Sequence, residues 1–153
     1  MRNIELFKPY QDALVGMPVS HIWMGFMQTL SIEVGTLTQE KLPDGTVHAE
    51  FGEMSVSFMP NWRFEKAHTV ACSSATGEDE QEAFFKTILG ARVARVDLGQ
   101  PVAELSLVFD NGYRLTSFST HHAIPEWTVT RRGVDNTIIC VTGGGDTFVA
   151  DPL

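Results

Sequence analysis

One half of this chain restates the other. Leu14-Val15-Gly16-Met17-Pro18-Val19 returns 74 positions on as Ile88-Leu89-Gly90-Ala91-Arg92-Val93, and Leu30-Ser31-Ile32-Glu33-Val34 returns 75 positions on as Leu105-Ser106-Leu107-Val108-Phe109. Pro60-Asn61-Trp62-Arg63-Phe64 is answered by Pro125-Glu126-Trp127-Thr128-Val129, and Cys72 before Thr76-Gly77 by Cys140 before Thr142-Gly143. Blocks that recur in one order point to an internal duplication, which constrains the fold more than any local propensity. The pattern predicts a single domain, 1–153, made of two repeats, 1–77 and 78–153, related by a pseudo-two-fold. Each half alone would be marginal, because so short a chain buries too little surface. No Pro/Ser/Gly-rich linker separates them. The repeat also sorts the residues by purpose: those present twice serve structure, and chemistry belongs where the halves differ.

Local signals give each half a helix followed by strands. Glu78 and Asp79 after Thr76-Gly77 favour a helix start there, with Thr76 as its cap, and Ala83, Phe84, Ile88 and Leu89 supply an apolar face up to Gly90. In the first half Pro9 implies a short helix that starts near it and ends at Gly16. Strands are expected over 93–98, 105–109, 113–118, 127–131, 137–142 and 147–149, with Asp110-Asn111-Gly112 as a hairpin turn. The first half has a longer middle, where Pro43-Asp44-Gly45 turns an extra hairpin before the alternating run 53–59. The fold class is therefore mainly β (α+β): two helix-plus-antiparallel-meander repeats, closed as a barrel or stacked as a sandwich.

Candidate chemistry is thin. His121 and His122 lie close to Glu126, and imidazoles beside a carboxylate suit zinc or acid–base work. Neighbouring residues on an extended chain point to opposite faces, however, so an exposed partner-facing loop is the better account. Cys72 and Cys140 have apolar neighbours and are expected to be reduced, buried thiols, not nucleophiles. Gly143-Gly144-Gly145 lacks the Lys-Ser/Thr that a phosphate loop requires. No catalytic residue, metal ligand or cofactor site is assigned. Trp62 and Trp127, each two residues after a proline, are expected core anchors. Trp23 differs, because it heads an apolar surplus (Met24, Phe26, Met27) with no counterpart in the second half. It either fills the core between the halves or forms a contact surface.

The net charge is −8, with 5 basic against 8 acidic residues in 1–77 and 6 against 11 in 78–153. Neither half offers the cationic patch that nucleic acid requires. No secretory h-region opens the chain and no apolar run spans a bilayer, so a cytoplasmic protein without membrane contact is expected. The Leu-x-Leu-x-Phe-x-Asn-Gly-x-x-Leu run at 105–115, Glu126-Trp127 and Gly143-Gly144 resemble a family of small, internally duplicated bacterial proteins of unknown function. Some proteins of this type are similar to immunity proteins, which block a toxin by binding it. The resemblance implies a non-catalytic, immunity-like inhibitor of a basic bacterial protein, acting by occlusion. Binding residues are expected at Trp23, Asp44, His121, His122 and Glu126, at the places where the halves differ. Two alternatives stand beside it: a small-molecule-binding or self-associating (homodimeric) structural protein, and, third, a hydrolase using the His121/His122 loop.

Overall fold

A computed structural model describes residues 4–99, 102–118, 125–132, 137–142 and 147–150. A turn of 3-10 helix at Ile4–Leu6 leads into α1 (Lys8–Leu14), where Pro9 occupies the first turn and lacks no bond a helix needs there. Strands β1 (Val19–Met24) and β2 (Leu30–Val34) follow, separated by a tight 3-10 turn at Phe26–Gln28. The hairpin β3 (Thr38–Lys41) and β4 (Val47–Phe51) forms its own two-stranded ribbon before β5 (Met54–Phe58), β6 (Trp62–Lys66) and β7 (Thr69–Ser73). Helix α2 (Glu78–Ile88) then precedes β8 (Val93–Leu98), β9 (Leu105–Phe109), β10 (Arg114–Ser117), β11 (Pro125–Arg131), β12 (Thr137–Thr142) and β13 (Thr147–Ala150).

The protein is mainly β, and its sheets are antiparallel. The first runs β1-β2-β5-β11-β12-β13 and the second β7-β6-β10-β9-β8; neither closes into a barrel. The expected meander is corrected here. After β5 the chain leaves the first sheet, and β6 and β7 join the second; after β10 it leaves the second, and β11 and β12 join the first. Each sheet is thus completed by strands from the other half of the sequence. At their origins the sheets are tied together by an antiparallel bridge between Pro18 and Arg92.

One core lies between them. Leu30, Ile32, Val34, Val56, Phe58 and Val129 of the first sheet meet Trp62, Phe64, Leu105, Leu107 and Leu115 of the second in a single buried cluster. Both expected anchors are there: Trp62 and Trp127 are wholly buried. Each indole N–H donates to a backbone carbonyl, Trp62 to Gln28 at 2.9 Å and Trp127 to Ala103 at 2.9 Å, so neither buries an unpaired donor. Phe7, from just before α1, packs its ring 5.1 Å from Trp127, and Phe85 of α2 lies 6.3 Å from Trp62.

The helix ends stand where the glycines place them. Gly16 (φ +92°) and Gly90 (φ +85°) follow the two helices in a left-handed conformation that other residues adopt at a cost. The start of α2 differs from expectation. Gly77 is its cap residue, while the Thr76 hydroxyl accepts the Ser73 N–H at 2.9 Å instead. The buried face is also shifted, to Gln81, Phe85 and Ile88, leaving Ala83 and Leu89 exposed. Among the described residues no helix is long and apolar enough to cross a membrane.

Candidate binding site

The outward face of the first sheet is not an ordinary solvated face. Period-two alternation sends Leu30, Ile32 and Val34 of β2 to the core and Ser31 and Glu33 to the other side, yet those two are 2% and 0% exposed. Register sets out two rows across the strands: Trp23, Ser31, Ser57, Thr128 and, one step along, His21, Glu33, Ser55, Thr130. Such burial of polar groups is tolerable only where each finds partners.

Glu33 finds four. Its carboxylate accepts the Trp23 indole N–H at 3.2 Å, the Gly52 N–H at 3.1 Å and the Ser55 hydroxyl in a short bond, and Arg132 Nη1 stands 3.6 Å away. Arg132 also donates to the Ser55 hydroxyl and, at 3.3 Å, to the Gly52 carbonyl, with its guanidinium 4.7 Å over the Phe51 ring. Gly52 must be glycine, because a Cβ there would collide with the Val34 backbone and push the N–H off the carboxylate. The network therefore clips the end of the β3–β4 hairpin to the sheet. It also fixes the Trp23 ring, because the indole N–H is already committed.

Beside this network lies a cavity of about 430 Å³, floored by Ser31, Ser55, Ser57 and Thr130 and walled by Trp23 and Phe26. The turn after β1 presents its apolar residues outward: Phe26 is 88% and Met27 68% exposed, and Trp23 is 38% exposed. Met27 (φ +57°) and Gln28 (φ +65°) both adopt the left-handed conformation, and the turn is closed by Gly25 N–H to Thr29 O at 2.7 Å. Two non-glycine residues held this way in sequence are strained. On one side Trp23 borders a cleft shared with Glu78, Gln81 and Glu82 of α2; on the other it borders His21, His48 and Glu50 near the hairpin.

Of the two roles open to the apolar surplus, Trp23, Phe26 and Met27 take the outward one, while Ile22 and Met24 pack against the core. Asp44 is exposed in the hairpin turn, where its carboxylate accepts the Thr46 N–H at 2.8 Å, which holds its pKa below the ordinary value. It lines none of the cavities around Trp23. Glu126 is corrected: it is 5% exposed and partnered, so it is no steering charge on an open loop. Strand β11 begins at Pro125, two residues earlier than the sequence suggested, so Glu126 belongs to the sheet beside Trp127, which stands opposite Phe58 of β5. His121 and His122 lie outside the described residues. Glu33, Ser55 and Arg132 were missed. Their one sequence signal was that Glu33 and Arg132 have no like partners in the other half, where Val108 stands in the place of Glu33.

Cys72 is buried, and burial pushes its thiol above the ordinary range, which suits an inert side chain. The side chain of Cys140 lies outside the described residues. Comparison of the chain with family models, with curated proteins and with solved structures finds no match.

Proposed function

We propose that this chain is a non-catalytic binding protein that blocks a basic protein partner, in the manner of small bacterial immunity proteins, through the surface centred on Trp23, Phe26 and Met27. One observation carries the reading: this exposed apolar cluster is flanked by Glu50 on one side and by Glu78 and Glu82 on the other. No basic side chain pairs with these three carboxylates among the described residues. Buried aromatics supply affinity at such a centre, and surrounding charge supplies steering toward a cationic partner.

The scaffold beneath it is read as a duplication about a pseudo-two-fold. Reciprocal hydrogen bonds support this. Gly16 N–H donates to Val93 O at 2.7 Å and Gly90 N–H to Val19 O at 2.9 Å; Val19 N–H donates to Ala91 O at 2.8 Å and Val93 N–H to Met17 O at 3.0 Å. A rotation that exchanges the 74-apart residues exchanges each bond of a pair. The indole bonds of Trp62 and Trp127 answer each other in the same way. On this reading the contact surface occupies the place where the second half has nothing similar.

The test is a photoreactive side chain at position 26, with one at position 102 as control. In cells that express the protein, the first should capture a protein of net positive charge and the second should not. Association of that partner with the purified chain should slow at least tenfold, roughly, between about 0.05 and 0.3 M salt, since charge steering is screened over this range. It should be lost in Phe26→Asp. Capture of a second copy of the chain alone would establish self-association instead, and a partner indifferent to salt would remove the electrostatic part.

A further inference from the structure

The two sheets carry the same hydroxyl pair on their outward faces and treat it differently. In the first sheet Ser31 and Ser57 stand opposite each other with their hydroxyls 2.9 Å apart. In the second, Ser106 and Thr116 do the same at 3.0 Å. A bonded pair of hydroxyls uses one donor between them and keeps lone pairs to spare. In the second sheet those lone pairs are taken by Arg114, whose Nη2 donates to Ser106 at 3.2 Å and whose Nε donates to Thr116 at 3.3 Å. Glu65 at 3.7 Å and Asp97 at 3.9 Å balance its charge.

Two residues along from each hydroxyl pair the register reads Val108–Arg114 in the second sheet and Glu33–Ser55 in the first. Ser55 thus stands where the arginine stands, and it is too short to reach over the pair. Among the described residues no third side chain donates to Ser31 and Ser57, and both line the cavity of about 430 Å³. Arg132 does not fill the role, because its Nη1 is turned to Glu33, Ser55 and the Gly52 carbonyl.

We propose that this cavity receives an arginine side chain of the partner, whose guanidinium caps the Ser31–Ser57 pair as Arg114 caps Ser106–Thr116. The proposal rests on the basic-partner reading above and names the group that the partner inserts. Charge favours it. Arg132 and Glu33, which both line the cavity, neutralise each other, and Glu50, Glu78 and Glu82 line the clefts on either side of Trp23, where no basic side chain pairs with them among the described residues. Trp23 and Phe26 give the planar cation aromatic walls. A planar fork of donors suits two adjacent hydroxyls; the ammonium of lysine is a compact, strongly hydrated point charge and does not match them.

The probes are the blocked pentapeptide Gly-Ser-Arg-Ser-Gly and its lysine and norleucine counterparts, titrated into the isotope-labelled whole chain. The arginine peptide should move the Trp23 indole N–H and the Ser31 and Ser57 amide resonances, and the lysine peptide should bind about tenfold more weakly or less. Ser57→Val should weaken the arginine peptide by a similar factor. Ser55→Arg, which supplies the chain's own guanidinium, should abolish binding while leaving the amide spectrum of the second sheet unchanged. Equal binding of lysine and arginine peptides, or undiminished binding in a folded Ser55→Arg variant, overturns the proposal. A salt-sensitive basic partner that binds the Ser55→Arg variant as well as the parent overturns this inference alone. If the arginine peptide occupies the cavity but no basic partner exists, the wider reading fails and the arginine site stands.

Discussion

Four donors converge on the Glu33 carboxylate, and one of them, Arg132, comes from the far end of the chain. Removing the acceptor strands them. Glu33→Ala should cost about 2–3 kcal/mol, below the usual figure for a broken buried pair because Arg132 is one-third exposed and can turn to water. Glu33→Gln keeps an acceptor and should cost about half as much. Urea unfolding of the two variants checks the order; equal losses would mean that the charge accounts for the whole effect and a neutral acceptor for none of it. Nothing around Leu30-Ser31-Ile32-Glu33-Val34 announces this burial, since an outward Glu in an alternating strand ordinarily meets water. Cys72 is buried as expected, although Val70 and Ala71 beside it are exposed. Its thiol pKa is raised in the fold, so the unfolded chain ionises first, near 9.0, and stability present below that pH is lost as pH rises through the folded value. Unfolding free energy should therefore decline above about pH 9 in the parent and decline less in Cys72→Val.

At the scale of elements, what the sequence reveals is what short-range sterics decide. Asp110-Asn111-Gly112 turns as expected, with Gly112 at φ +91°, and Pro43-Asp44-Gly45 turns the extra hairpin with Gly45 at φ +87°. The turn at Phe26–Gln28 has no such signature, because its left-handed residues are Met27 and Gln28. Their conformation is imposed from elsewhere: the Gln28 carbonyl must face the buried Trp62 indole, which donates to it. Glycine adopts that conformation without the Cβ penalty and keeps the carbonyl. Gln28→Gly should then raise stability by about 0.5 kcal/mol, the relief of a left-handed side chain less the added chain entropy. A loss of stability would show that the Gln28 side chain itself contributes. Trp127→Ala, by contrast, removes a wholly buried ring and its bond to Ala103 and should cost about 3–5 kcal/mol.

The arrangement of the whole molecule was the part least visible in advance. Strand identities follow from local alternation, but whether β6 lies beside β5 or crosses to the other sheet depends on pairings across many tens of residues: Trp62 meets Ser117, and Trp127 meets Phe58. Those exchanges have a thermodynamic consequence. The first sheet takes β1, β2 and β5 from one half of the sequence and β11 from the other, while the second takes β8, β9 and β10 together with β6 and β7. Loss of either half removes strands from both sheets and opens the one core they share. Neither half can therefore unfold while the other persists, and the chain should melt as one cooperative unit. The two buried tryptophans make this measurable, because each sits in a different sheet. Trp62→Phe and Trp127→Phe, each with Trp23→Phe, leave a single reporter in one sheet. In each variant the denaturation midpoint seen by that reporter's fluorescence should coincide with the midpoint seen by far-ultraviolet circular dichroism. Separate midpoints, with one sheet's reporter released first, would mean that the exchanged strands do not bind the halves into one folding unit.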